Sequence, residues 1–443
     1  MGQSRLRVSA TSASRSFCGA ALALLLGVAS LLAGSQVVRA ETTVKWLYIE
    51  TNPAIIQYWK DIIGKFEQAH PGVKIETQFL ENEAYKAKLP TLLQSSDPPH
   101  IFYSWAGGVL HAQVDSGVLK DITAEMGKAD AGKSWGDSYN PAALKAFTYK
   151  GKIWGVPNNL SEIDFYYNKK LFQKAGVDAT KIATWSDFLG AVKALKAAGI
   201  TPIAVGGADK WPVHFYWVYL AIRQGGLQGF QDALAGKNGG FAGPNFVKAG
   251  EAFKQLADLS PFQPGYLAAK WPAFAGTFGD GRAAMVLAFS ATTANLQRLN
   301  AADQKGIPLE DLGLLHFPTL EGGTGLPTDT MGGINGWLLG KNAPPEAVEF
   351  LRFLTNAENQ RELAARNLQI PAAKDAPQAV TDPLLKIAAQ SLAASTYHQN
   401  FYDQDLGPAV GRVVNDATTD LASGATTPLA AAQQIQDAWA QEH

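Results

Sequence analysis

Residues 44–79 read VKWLYIETNPAIIQYWKDIIGKFEQAHPGVKIETQF. Val44 to Ile49 is a short apolar segment closed by the turn-like Glu50-Thr51-Asn52. Asn52 can cap a helix, because its side-chain oxygen reaches amides of the first turn, and Pro53 suits the first helical position, where a missing N–H costs nothing. Ile55, Trp59, Ile62, Ile63 and Phe66 then recur on one face at helical spacing. His70-Pro71-Gly72 stops that helix. Beyond it Val73, Ile75, Thr77 and Phe79 alternate with Lys74, Glu76 and Gln78, the period of a half-buried strand. Strand, helix, strand is the unit of a parallel sheet covered by helices.

The unit recurs outward from this stretch. Lys152 to Val156 and Ile163 to Tyr167 read as strands. Thr184 caps a helix with Phe188, Leu189, Val192 and Leu195 inward, closed by Gly199, and the strand Pro202 to Val205 follows. Met285 to Phe289 and Gly336 to Leu339 read as strands, and Pro344-Pro345 begins a helix with Val348, Leu351 and Leu354 on its apolar face. The C-terminal stretch Pro428 to Trp439 reads as a helix with Leu429, Ala432, Ile435 and Trp439 inward. The chain has 443 residues, whereas single cores stop growing at about 250–300. Two α/β lobes are therefore expected. With no low-complexity linker and no internal repeat, they should be joined by several short crossings.

Lys plus Arg number 38 and Asp plus Glu 39. Without a basic block, this balance argues against a nucleic-acid partner. Residues 1–40 carry Arg5, Arg7, Arg15 and Arg39, no Lys, Asp or Glu, and an apolar run from Phe17 to Ala33. They end in the small-x-small Val38-Arg39-Ala40, the mark of a secretory signal peptide cut after Ala40. Export to the periplasm follows as an expectation. The one cysteine, Cys18, falls within the leader, so no disulfide framework is expected in the remainder. No later stretch is long and apolar enough to span a membrane.

The familiar enzyme motifs are absent: no Gly-x-Ser-x-Gly, no His-Glu-x-x-His, no phosphate loop and no dinucleotide fingerprint. The histidines are scattered, with no pair at ligand spacing, and read as structural. No metal and no cofactor is expected. The positive signal is aromatic: several of the 11 Trp stand in loop-like, Gly- or Pro-flanked settings, notably Trp105 before Ala106-Gly107-Gly108, Trp211 before Pro212 and Trp271 before Pro272. A sugar ring offers its C–H face to an aromatic ring, and its hydroxyls need carboxylates and amides at the edge. Such groups lie nearby at Glu50 and Asn52, Glu81 and Asn82, and Asn158, Asn159, Ser161 and Glu162. Trp59 and Trp439, on helices, read as core.

From about residue 44 onward the chain resembles the extracellular solute-binding proteins of bacterial ABC transporters, the sugar-binding family that includes maltose-binding protein. The similar stretches are His70 to Ile75, Asp97-Pro98-Pro99-His100-Ile101-Phe102, Leu119 to Thr123, Gly151 to Pro157, Tyr166 to Phe172, Thr184 to Phe188, Gly281 to Met285, and Gly332-Gly333 ahead of the Phe350-Leu351 helix. The resemblance implies a periplasmic-binding-protein-like α/β fold, two lobes joined by a multi-strand hinge with a ligand cleft between them. An N-terminal lobe would comprise 41–156 and 330–370, and a C-terminal lobe 157–329 and 371–443. Crossings are expected at 156–160, about 326–332 and about 369–375. Ligand contacts carried onto matching positions are Glu50, Thr51, Glu81 and Trp105 in the first lobe, Asn158 and Ser161 near the first crossing, and Trp211 in the second lobe. Gly332-Gly333 and Asn335 would line the return, and Tyr402, Asp403 and Asp405 would supply late contacts. Two positions depart from the pattern. His100 replaces the usual Asp, and Val286 to Ala291 lacks a usual stacking Trp, leaving Phe289 or another aromatic to substitute.

The function implied is capture of a mono- or oligosaccharide by lobe closure and delivery to permease subunits at the inner membrane, by a monomer that makes and breaks no bond. Rival expectations are a receptor for a polyamine or phosphodiester and an exported carbohydrate-active enzyme with two convergent carboxylates. A ferric-ion receptor is suggested by Tyr166-Tyr167, but adjacent strand residues point to opposite faces, so one of the two belongs to the core.

Overall fold

The computed structural model describes residues 41–130 and 133–443, so the signal-peptide reading lies outside the described residues. Ten strands build the two main sheets: β1 (Thr42–Tyr48), β2 (Val73–Phe79), β3 (Ile101–Trp105), β4 (Gly155–Leu160), β5 (Ile163–Asn168), β6 (Ile203–Ala204), β7 (Met285–Phe289), β8 (Leu312–Leu315), β9 (Ile334–Leu339) and β10 (Ile370–Pro371). The larger sheet has the order β10-β4-β9-β3-β1-β2 and the smaller β6-β7-β5-β8. Each is covered by helices over its own apolar core, giving the two α/β lobes expected.

The opening stretch folds as its pattern predicts. Asn52 accepts the Ala54 amide at the start of helix Pro53–Ala69, and Ile55, Trp59, Ile62 and Phe66 are buried. Thr184 and Asp187 form a reciprocal capping box on helix Trp185–Ala197. Tyr166 and Tyr167 diverge as the strand period requires: Tyr166 is 1% exposed and donates to the Ser290 carbonyl, while Tyr167 packs on Phe172 from the other face.

Four expectations are corrected. The larger sheet is mixed, not parallel. β1 and β3 run parallel, but β9 is antiparallel to both β3 and β4, because the chain re-enters this sheet from the other lobe. The strand expected at Lys152 to Val156 splits. Lys152–Ile153 forms a hairpin with Thr148–Tyr149, and β4 begins only at Gly155. Trp211 lies not in a loop but at the start of helix Trp211–Leu234, which kinks at Gly226, where φ is 57°. Leu429 is 59% exposed. At 3.6 residues per turn it stands about 120° around the helix from the buried Ile435.

The chain passes between the sheets at closely packed points. Between β4 and β5, Ser161 donates its amide to the Gly333 carbonyl at 3.0 Å, and its hydroxyl oxygen receives the Gly333 amide at 2.9 Å. A Cβ on Gly332 would overlap the Ser161 carbonyl, so glycine is required there. The third passage lies alongside, the Ala372 amide donating to the Asn158 carbonyl at 3.1 Å. Before the return, residues 317–329 form neither helix nor strand. They are organised by buried Arg223, whose five N–H groups donate to the carbonyls of Phe317, Pro318, Leu326, Pro327 and Asp329.

The core of the larger sheet centres on Trp337. Its ring lies 5.0 Å from Trp46, 5.5 Å from Trp59 and 5.6 Å from Tyr103, each edge-on as aromatic quadrupoles prefer. Its indole N–H has no partner among the described residues. Trp337→Ala is expected to lower unfolding stability by about 3–5 kcal/mol in urea titration. Trp337→Phe, which keeps a ring and removes the unpaired donor, should cost markedly less.

Candidate functional site

A cavity of about 210 Å³ opens where loops and strand ends of both sheets converge. Its first wall comes from the larger sheet: Glu50 and Thr51 follow β1, Glu81 caps helix Asn82–Leu93, Tyr103 and Trp105 belong to β3, Asn158 and Asn159 to β4, and Asn335 to β9. The facing wall contains Trp211, Phe215, Trp271, Phe289, Phe401 and Asp403. Glu50 and Thr51, Trp105 and Phe289 all stand at the carboxyl ends of their strands, where open α/β sheets hold ligands.

Aromatic surface dominates the second wall. Trp271 lies 5.3 Å from Phe289 and 5.8 Å from Trp211 between ring centroids, and Phe289 is 5.6 Å from Trp211. Asp209 fixes the Trp271 backbone by accepting its amide at 2.5 Å. At the floor, neighbouring strands present a row of amides. Gln369 reaches Asn158 at 3.4 Å, and Asn335 reaches Asn159 at 3.3 Å. Among the described residues, the Asn335 Oδ1, the Trp211 indole N–H and both ring nitrogens of His214 are buried without hydrogen-bond partners.

The charged groups are held by the ends of helices and by one another. Glu50 accepts the amides of Thr51 at 2.9 Å and Asn52 at 2.7 Å, and burial pushes its carboxyl above the usual range. Glu81 accepts the amides of Glu83 and Ala84. Asp403 is held low despite its burial, by the ammonium of Lys86 at 3.4 Å and by His214, with further hydrogen bonds from Asn415 and Gln404. Lys86 belongs to the helix capped by Glu81, so this pair ties opposite walls. A second tie is Asn295, which donates to Asn52 at 3.2 Å.

Of the residues singled out in the sequence, Glu50, Thr51, Glu81, Trp105, Asn158, Ser161, Trp211, Phe289, Asn335 and Asp403 line this one cavity. Gly333, Tyr402 and Asp405 do not. The Gly333 amide is used by Ser161, and the Phe401 ring covers its Cα. Tyr402 packs among Trp217, Phe230 and Phe241. Asp405 accepts from Gln399 beneath Gly107. The last two share a single helical turn with Asp403, and about 100° per residue turns them away from the wall that Asp403 joins. Sequence reasoning missed Lys86, Tyr103, His214 and Gln369 as lining residues and took Trp59 for core alone. Only Lys86 had a signal, its position on a helix that begins at a cavity residue.

Lys86→Met should lower stability at neutral pH by about 1.5 kcal/mol, the low end for a hydrogen bond to a charged group given its length. Because Asp403 has a depressed folded pKa, its favourable term is present above the ordinary carboxylate range and lost as pH falls through the folded value. The penalty should therefore fade in urea titrations as the pH is taken below the ordinary carboxylate range.

A model of the bacterial extracellular solute-binding protein family matches residues 52–361. An ABC transporter extracellular-binding protein of Pyrococcus horikoshii is 26% identical over 340 residues, which span 75% of this chain and 72% of the relative. The multiple sugar-binding protein of Streptococcus mutans is 21% identical over 345 residues, 74% of this chain and 76% of that one. Among solved structures, one from work on xylan utilisation by Caldanaerobius polysaccharolyticus matches with a TM-score of 0.81 at 27% identity, covering 89% of this chain and 99% of its own. A chitin oligosaccharide binding protein matches with a TM-score of 0.80 at 24% identity, covering 90% and 98%. Among the described residues no helix is long and apolar enough to cross a membrane. Matched over most of its length, the chain belongs to the bacterial extracellular solute-binding protein family.

Proposed function

We propose that this chain is the capture component of a carbohydrate ABC importer, binding a mono- or oligosaccharide in the cavity and delivering it to membrane permease subunits. The observation that carries the reading is the combination in one cavity of the Trp211–Trp271–Phe289 aromatic wall with the amide row of Asn158, Asn159, Asn335 and Gln369 opposite. Rings suit the C–H faces of a pyranose, and amides suit its hydroxyls. Relatives named for sugar binding, such as the multiple sugar-binding protein of Streptococcus mutans, support the same ligand class.

In this mechanism the crossings at 156–160, about 326–332 and about 369–375 form the hinge between lobes 41–156 with 330–370 and 157–329 with 371–443. A guest touching both walls favours the closed arrangement by its differential affinity, and the hinge absorbs the rotation. The protein acts as a monomer in the periplasm after cleavage near Ala40. No bond is made or broken, and no cofactor takes part. A polyamine is the competing guest, favoured by the three carboxylates Glu50, Glu81 and Asp403 against the single ammonium of Lys86.

Isothermal titration against pentoses, hexoses, xylo- and chito-oligosaccharides, with spermidine as a further arm, tests the proposal. At least one neutral sugar should bind. Trp271→Ala should weaken that binding about 10-fold, the upper end of one ring-stacking contact. Binding of spermidine with no response to any sugar would replace this reading with the polyamine receptor.

A further inference from the structure

Outside the cavity, two acids flank Ile163, the first residue of β5. Glu162 is 1% exposed and Asp164 0%, facing away from the Ile163 and Phe165 core positions. Leu315 pairs with Phe165 in the antiparallel ladder, so the next residue, His316, falls across from Asp164. The result is a cluster of three donors, with one ligating atom from each of Glu162, Asp164 and His316 all within 4.8 Å of one another. Residues 162 and 316 are too far apart in sequence for any local spacing to reveal it.

The cations facing the two acids are the His316 imidazole, which its hydrogen bond to Asp164 favours in the protonated form, and the Arg223 guanidinium. One carboxylate oxygen on each acid, Glu162 Oε2 and Asp164 Oδ2, is buried with no hydrogen-bond partner among the described residues. The nearby guanidinium of Arg223 spends all five N–H groups on main-chain carbonyls. Burial, and for Glu162 also the neighbouring Asp164 charge, push both carboxyls upward, the cost of two acids sharing one dry site.

We propose that Glu162, Asp164 and His316 form a binding site for a first-row divalent metal ion of the zinc(II) type. An imidazole with two carboxylates is a borderline-soft donor set, and protein zinc sites use these groups at about 2.0–2.2 Å. Tetrahedral ligands at that range stand roughly 3.3 Å apart. His316 Nδ1 lies 2.9 Å from Asp164 Oδ1 and 4.0 Å from Glu162 Oε1, bracketing that separation. Ser391 donates to Glu162 Oε1 at 2.7 Å and would orient it as an outer-shell partner does. The His316 side chain is 46% exposed, so the imidazole is reached from solvent. An ion here would join the start of β5 to the segment after β8 and, through Ser391, to helix Pro383–Ala394.

The test is titration of chelator-treated full-length protein with ZnCl2, read by calorimetry and by thermal unfolding, with MnCl2 and CaCl2 as comparison arms. Wild type should take up one Zn2+ and unfold at a higher temperature with it, and bind Ca2+ more weakly. His316→Ala, at a half-exposed position that should not disturb folding, should weaken uptake by more than about 10-fold and abolish the thermal shift. Glu162→Gln should do the same. No uptake by wild type, or uptake that His316→Ala shares unchanged, overturns the proposal, the first because His316, Arg223 and bound protons then balance the acids.

Discussion

Where the chain leaves the larger sheet for the smaller, Ser161 exchanges main-chain and hydroxyl hydrogen bonds with Gly333, and Gly332 lies so close to the Ser161 carbonyl that no side chain fits. Two passages of the chain, far apart in sequence, are thereby held in one register. The features that give this molecule its chemistry are laid out from that tie. On one side Asn158, Asn159 and Asn335 come together on the cavity floor. On the other, Glu162 and Asp164 come together with His316. A shift of one residue at the tie would turn Glu162 and Asp164 away from His316, because side chains alternate along a strand.

Much of this architecture is legible in the sequence because it rests on local physics. The helix Pro53–Ala69 announces itself through the Asn52 cap, the Pro53 start and its apolar spacing, and the capping box at Thr184 does the same for helix Trp185–Ala197. Strand direction is different. That β9 runs antiparallel to β3 depends on which end of the sheet the returning chain reaches, and no residue in β9 encodes it. The Lys152 to Val156 stretch failed for a related reason: alternation marks extended chain but not the partner, and here a local hairpin takes the first half.

The cavity was legible where its residues follow strands or cap helices, as Glu50, Glu81 and Asn158 do. It was hidden where a side chain arrives from the interior of a helix or from a strand that looks like core. Tyr103 and Trp59 serve both the aromatic core around Trp337 and the cavity wall, so the two roles share one sequence signal. The one-turn helix Tyr402–Asp405 shows the limit from the other direction. Its position near the site could be anticipated, but Asp403 and Gln404 line the cavity while Tyr402 and Asp405 do not, and one turn carries too little periodicity to say which residues will.

Arg223 has a consequence of its own. Every partner of its guanidinium is a main-chain oxygen within 317–329, a stretch punctuated by Pro318, Gly322, Gly323, Gly325 and Pro327. One side chain thereby fixes the trace of a loop that has no ladder of its own, and Asp329 adds to it by accepting the Leu326 amide at 2.7 Å. Lysine could not take over, since its three donors radiate from one point and would leave two oxygens dry.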